Sequence, residues 1–351
     1  MVANVDPARF SFDRPSSLVR PARRIVRGEF AEEPNRCLKI GLVNNMSGAA
    51  FKATERQFVS LLHAASENIP IQISYYTLPG LSRAELGGDH FSFHYTSTES
   101  LLETELDGLI VTGREPKMPN LRDEPYWESF TQVLEWARQN TYSTVWSCLA
   151  AHAAVLYMDD IVRSKSDEKN FGVFECTQVS DHPLTRGLST RRNVPHSRWN
   201  GVAQRDLTER GYSLLSCVVD DGVDTFIKQE ESLFVFFQGH PEYETDTLMR
   251  EYRRDVGRYL NGETNNYPLL PRGYFDRTTE SVLTILRDKA TACRSKEVLD
   301  GVASAIEKAQ IQNTWHSLAS GIYRNWLEYI CARKSEGIGE QHAVTSLSMS
   351  R

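Results

Sequence analysis

The stretch Thr141 to Tyr157, TYSTVWSCLAAHAAVLY, decides how the rest of this chain is read. Tyr142 to Trp146 is a run of strand length rich in β-branched and aromatic residues. At Ser147-Cys148 it passes into LAAHAAVLY, small and aliphatic residues that start a helix. Cys148 therefore falls at a strand-to-helix turn. The first N–H groups of a helix have no partner inside it, and with the positive end of the helix dipole they favour a thiolate and can hold an oxyanion. A single cysteine is also commonly a small buried hydrophobe, so position alone leaves a catalytic and a packing role open.

Strand and helix alternate on both sides of this stretch. Upstream, LKIGLV after Cys37 is a continuous apolar run followed by the loop NNMSGAAFK. A helix is expected from Thr54, with Phe58, Leu61, Leu62 and Ala65 on one face. Ile71 to Tyr76 and Leu106 to Val111 read as strands, the latter ending in Thr112-Gly113. Pro125 suits a first helical turn, with Trp127, Phe130, Val133, Leu134 and Ala137 behind it. Downstream, Val173 to Thr177 and Leu233 to Phe237 are strands, and the second runs into Gln238-Gly239-His240-Pro241-Glu242 and a helix bearing Leu248, Met249, Tyr252, Val256 and Tyr259. Thr279 to Ala290, Lys296 to Ala309 and Asn313 to Cys331 follow as amphipathic helices. The pattern predicts an α/β fold, a mostly parallel sheet flanked by helices with extra helices at the C-terminal end. In such sheets the loops leaving the C-terminal strand ends build the site, so Gly113, Cys148 and His240 are expected to converge.

The 351 residues, 40% of them hydrophobic, are enough to bury a full core, which excludes a chain disordered throughout. A formal charge of −6 without a basic block speaks against nucleic acid or an anionic membrane as partner and for small molecules. No apolar run approaches the ~18 residues of a membrane span and the N-terminus shows no secretory pattern, so a cytoplasmic protein is expected. Six cysteines without a C-x-x-C pair suggest neither a zinc site nor a disulfide framework. Residues 1–35, with four prolines among arginines and serines, read as an extended arm, solvated or in contact with a second copy in a homodimer. Residues 36–333 read as one domain and 334–351 as a loose polar tail.

A cysteine nucleophile needs a base within hydrogen-bond reach, and the base needs an acceptor that fixes its tautomer. His240 and Glu242 flank a proline on a strand-exit loop and can supply both. A polar turn is the plain alternative for H-P-E, and Cys148 at its own turn tips the balance toward a Cys148, His240, Glu242 triad. Leu149, just after the cysteine, offers the natural oxyanion N–H.

In their order, VNNM…TERQF, LDGLIVTG…YW…VLEW, the Cys148 turn, PHSR (Pro195 to Arg198), GHPEY (Gly239 to Tyr243) and NWLEY (Asn325 to Tyr329) closely resemble the homoserine O-acyltransferases of methionine biosynthesis. The resemblance spans roughly residues 36 to 333. It implies a class I glutamine-amidotransferase-like fold, acyl-CoA (succinyl-CoA or acetyl-CoA) as co-substrate with no bound cofactor, and a thioester on Cys148 with His240 as base and Glu242 as its orienting partner. It further implies that Lys169, Ser197 and Arg254 contact the amino-acid acceptor, homoserine or a related hydroxy-amino acid.

This chain departs from the family pattern at several places. The loop after the first strand is longer, so Lys52 only approximately replaces a supporting lysine. Leu149 stands where tryptophan is usual and His152 where glutamine is expected. Lys117 occupies the position that separates acetyl from succinyl users, normally glutamate or glycine, and a lysine there favours succinyl. Residues 276–312 read as a helical insertion. A glutaminase and a non-catalytic binding relative are the competing readings. Trp146 and Ala150 in place of flanking glycines weigh against the first, and the joint presence of Cys148, His240 and Glu242 weighs against the second.

Overall fold

The computed structural model describes residues 24–25, 37–80, 95–219 and 222–348. Its strands are β1 (Arg24–Ile25), β2 (Leu38–Val43), β3 (Ile71–Thr77), β4 (Tyr95–Ser97), β5 (Gly108–Thr112), β6 (Ser143–Ser147), β7 (Ser164–Gln178), β8 (Arg191–Gly201), β9 (Ser213–Val218), β10 (Gly222–Gln229) and β11 (Leu233–Phe237). Its helices are α1 (Ala49–Ser66), α2 (Thr98–Leu102), α3 (Trp127–Asn140), α4 (Leu149–Asp159), α5 (Gln204–Glu209), α6 (Thr247–Leu260), α7 (Arg277–Ala292), α8 (Lys296–Glu307) and α9 (His316–Ser348). The sequence-predicted arm 1–35 lies outside the described residues apart from β1.

One sheet runs β1-β3-β2-β5-β6-β11-β10-β9-β7-β8, with β4 beside β3. From β3 to β11 every pairing is parallel, and this core is the expected α/β sheet. The Leu, Ile, Val and Phe runs fit it because strands covered on both faces need apolar residues at successive positions. Ser147 pairs in register with Thr112 on one side and Phe237 on the other. The three strands therefore stop level, and the loops at Gly113, Cys148 and Gln238 leave the same edge side by side.

Beyond β11 the sheet turns antiparallel through β10, β9, β7 and β8. β8, β9 and β10 do not stand out in the sequence. Buried polar residues interrupt their apolar alternation, among them Arg192, His196, Arg198, Ser216 and Asp224. Gly172 in β7 lies against the loop before α7. A side chain there would come 2.3 Å from the Arg272 carbonyl oxygen, and Arg272 is held by Val173 N–H (2.8 Å) and donates to the Phe171 carbonyl (2.9 Å).

Two apolar layers enclose the sheet. One joins Trp146, Phe234 and Phe236 to α3 and α4, and the other joins Ile40, Val145 and Val235 to α1 and α9. A third core of Tyr252, Leu283, Val302 and Trp315 binds α6, α7 and α8 together.

Helix α1 begins at Ala49, ahead of the expected Thr54. Gly48 at φ 59° turns the chain early, and Phe51 is fixed by Tyr95 at 4.7 Å between rings and by Asn44, whose amide donates to its carbonyl at 2.9 Å. Residues from 334 on, expected to be loose, continue α9 as far as Ser348. Lys334 at the start of this extension is tied to Asp107 at 2.8 Å and to the Cys37 carbonyl at 3.1 Å.

Trp146, two residues before the cysteine, is fully buried, stacks on Phe234 at 5.9 Å and donates through Nε1 to Thr144 at 2.8 Å. Trp146→Ala should cost about 3–5 kcal/mol of stability, read as a lower denaturant midpoint. An unchanged midpoint would show that this face of the sheet does not bear the core's packing.

Candidate active site

Cys148 is the residue before α4, with φ 53° and ψ −112°, one of three non-glycine residues at positive φ among those described. Such a conformation costs a residue with a side chain roughly 1–3 kcal/mol, and the surroundings must hold it there. The Cys148 N–H donates to the Phe237 carbonyl at 2.7 Å, which prolongs the β6–β11 ladder by one residue. The Cys148 carbonyl accepts from Ala151 (3.0 Å) and His152 (3.3 Å), which starts the helix. The turn thus throws the thiol out at the sheet edge with the Leu149 N–H beside it. Gly113 keeps that N–H clear, since a β-carbon there would stand 2.8 Å from the Leu149 nitrogen.

His240 arrives on the neighbouring loop. His240 N–H donates to the Pro195 carbonyl of β8 at 2.7 Å, and its ring Nδ1 lies 2.7 Å from Glu242 Oε1, which leaves Nε2 for Cys148. Burial works against charge on this imidazole, but Glu242 and Cys148 outweigh it, and His240 is held well above the usual histidine range.

A buried charge network supports the loop from beneath. Strand alternation on β8 sends His196 and Arg198 inward and Ser197 to the other face. Arg198 Nε donates to His196 Nδ1 at 3.2 Å, and His196 Nε2 lies 3.3 Å from Asp224 Oδ1. Asp224 Oδ2 accepts from Ser216 and Thr225, both at 2.8 Å. Burial alone would raise the Asp224 carboxyl, yet His196 and Arg192 hold it well below its ordinary range. Cys176 brings its sulfur within 4.8 Å of His196 and Asp224. With the carboxylate engaged and a guanidinium donating into the imidazole, this is a hydrogen-bonded ion network. Gly239 rests on it, as a β-carbon there would meet Val194 at 2.5 Å and Asp224 at 2.8 Å.

Lys169, Ser197 and Arg254 are brought together around two carboxylates on one face of α6. Ser197 Oγ donates to Glu251 at 2.5 Å, and Lys169 Nζ lies 3.8 Å from Glu251 and 3.5 Å from Asp255. Arg254 Nε donates to Asp255 at 2.8 Å. Tyr243 joins this cluster to His240: its ring stacks on the imidazole at 4.2 Å and its hydroxyl donates to Glu251 at 2.7 Å. Trp315 Nε1 in turn donates to the Tyr243 carbonyl at 2.7 Å, so the C-terminal helices brace the site.

The sequence profile of homoserine O-succinyltransferase matches residues 18–336. Homoserine O-succinyltransferases from Rhodopseudomonas palustris and Bradyrhizobium japonicum are each 43% identical to this chain, over 83% of it and 88% of the first relative and over 84% of it and 90% of the second. The chain belongs to the homoserine O-succinyltransferase family. A further relative of that name, from Methylorubrum extorquens, is 39% identical over 86% of this chain and 90% of its own. A solved glutamine amidotransferase from Thermotoga maritima overlays 84% of this chain and 98% of its own with a TM-score of 0.42 at 10% identity, too distant a likeness to carry a functional argument.

Within this homoserine O-succinyltransferase family member, the remaining sequence-predicted residues fall at different distances from the thiol. Lys52 is exposed on the first turn of α1, one turn before Arg56. Arg56 grips Glu244 at 2.7 and 2.5 Å beyond the catalytic loop. The Lys117 side chain is exposed, and its backbone N–H donates to Glu124 at 2.6 Å. His152, buried in α4, lies 2.9 Å through Nε2 from Gln238 Oε1, and burial pushes it down to about 4, so it is neutral. Sequence reasoning missed Glu251, Tyr243 and Asp224. Glu251, Arg254 and Asp255 share the i, i+3, i+4 spacing of one helix face, a signal the sequence does contain.

Glu242 and Cys148 both hold the proton on His240, so Cys148→Ser, which exchanges the sulfur for a hydroxyl, should lower its titration midpoint in imidazole NMR. The imidazolium would then be lost at a lower pH than in the unaltered protein. An unmoved midpoint would show that the thiol and the ring are not paired.

Proposed function

We propose that this protein transfers a succinyl group from succinyl-CoA to the hydroxyl of homoserine through a thioester on Cys148. The observation that carries the reading is the unbroken contact path from the Cys148–His240–Glu242 chain through Tyr243 to the Glu251, Lys169, Ser197 and Arg254 cluster. It sets a nucleophile and a base next to a site for a zwitterion. Family membership and the names of the relatives support the same reading.

The thiolate attacks the thioester carbonyl carbon, and the developing oxyanion meets the Leu149 N–H at the positive end of α4. The carbon–sulfur bond to CoA breaks and the CoA sulfur takes the proton from His240 Nε2. His240, now neutral and steadied by Glu242, accepts the proton of the acceptor hydroxyl as its oxygen attacks the acyl-enzyme. Thiolate is released and the imidazolium is restored, so each turnover closes its proton balance within one pair of residues. In the acceptor cluster, Arg254 and Lys169 suit an α-carboxylate while Glu251 suits an α-ammonium. A free amino acid thus matches both signs of charge.

The test is steady-state kinetics with succinyl-CoA and homoserine, with glutamine hydrolysis measured alongside. CoA release coupled to O-succinylhomoserine is expected. Arg254→Ala should raise the homoserine KM by about tenfold or more, as a loss of ~1.4 kcal/mol would, and leave the succinyl-CoA KM nearly unchanged. Glutaminase activity without acyl transfer would overturn the function, and equal effects on both KM values would remove Arg254 from the acceptor site.

A further inference from the structure

Tyr243 gives and takes no proton in the acyl transfer, yet it is held at both ends. It follows Glu242, is half-buried, and lays its ring on the His240 imidazole with 4.2 Å between centroids and 16° between planes. Its N–H donates to the His240 carbonyl at 3.1 Å, and its own carbonyl accepts from Trp315 Nε1 at 2.7 Å. Trp315 is 2% exposed and belongs to the core that binds α6, α7 and α8. The backbone of Tyr243 is therefore tied to a packed body. At the far end of the ring the hydroxyl donates to Glu251 Oε1 at 2.7 Å, while Glu251 Oε2 accepts from Ser197 at 2.5 Å.

The bond from Glu242 to Nδ1 grips one edge of the imidazole and leaves it able to tilt about that contact. A flat ring stacked on its face opposes the tilt. One stiff side chain thus spans from the face of the imidazole to the carboxylate at the centre of the acceptor cluster. The two halves of the reaction use that span differently. Loading Cys148 requires only the thiol and the imidazole. Discharge requires the imidazole and the cluster at once, because the acceptor hydroxyl must meet His240 Nε2 while the charges of the amino acid rest on Glu251 and the cations around it.

We infer that Tyr243 is a positioning residue for the discharge step: its ring holds the plane of His240, and its hydroxyl fixes that plane relative to Glu251. An acceptor seated on the cluster then meets Nε2 in register. The inference deepens the acyl transfer proposed above and rests on it. In this step His240 takes the hydroxyl proton, the new carbon–oxygen ester bond forms, and the carbon–sulfur bond breaks to release the Cys148 thiolate. Tyr243 sets the spacing in which that exchange takes place.

The experiment measures the two halves separately in the unaltered protein, Tyr243→Phe and Tyr243→Leu. Acylation is followed as CoA released in one turnover of succinyl-CoA without homoserine, and discharge as loss of the acyl-enzyme at saturating homoserine. Tyr243→Phe keeps the stacked ring and loses the bond to Glu251, so it should slow discharge about tenfold more than acylation. Tyr243→Leu loses the ring as well and should slow both. If Tyr243→Phe changed both rates by the same factor, or needed more homoserine to reach an unaltered discharge rate, the inference would be overturned and the acyl transfer would stand. Unaltered acylation in Tyr243→Leu would overturn the part given to the ring. If the unaltered protein released no CoA, the acyl transfer would fall and the inference with it. Should Tyr243→Leu not fold, Tyr243→Phe decides, since it removes only the hydroxyl oxygen.

Discussion

The hydrogen bond from the Cys148 N–H to the Phe237 carbonyl, 2.7 Å long, is the constraint on which this site depends. It extends a parallel ladder past the last paired residues of β6 and β11 and so locks the Cys148 turn to the strand that leads into His240. A parallel register cannot slip by one residue without reversing every side chain. The buried Val145, Trp146, Phe234 and Phe236 make that slip prohibitive. The distance between thiol and imidazole is therefore set by the core packing beneath them.

The positive φ of Cys148 follows from the same constraint. A side chain at the end of a strand points into the sheet unless the backbone turns sharply, and the turn at Cys148 also starts α4 and presents the Leu149 N–H. Glycine supplies clearance at the two places where neighbouring loops approach, Gly113 against Leu149 and Gly239 against the Asp224–His196 pair. The antiparallel wing has its own part. β8 offers its Pro195 carbonyl to His240, buries His196 and Arg198 as a base for the loop, and turns Ser197 toward α6.

Much of this was legible in the sequence. The parallel strands announced themselves as apolar runs, and the punctuation after them, Thr112-Gly113, Ser147-Cys148 and Gln238-Gly239-His240, marked the edge where the site forms. The antiparallel wing was legible only at Val173 to Thr177, part of β7. Its strands bury charged residues whose partners come from other strands, and a single chain read in order gives no sign that Arg198, His196 and Asp224 meet. The Lys169, Ser197 and Arg254 cluster was half legible: the cations and the serine could be named, whereas the carboxylates that gather them lie on a helix that looked only amphipathic. The same limit applies to Lys117, which is exposed on its loop. A loop position can be counted along a sequence, but whether its side chain turns inward cannot.

The central claim is a covalent one, and the intact mass of the protein after incubation with succinyl-CoA in the absence of homoserine tests it most directly. The account predicts a gain of one succinyl group, mapped to Cys148, that is discharged when homoserine is added. No adduct under these conditions, or one that maps to a residue other than Cys148, would contradict it.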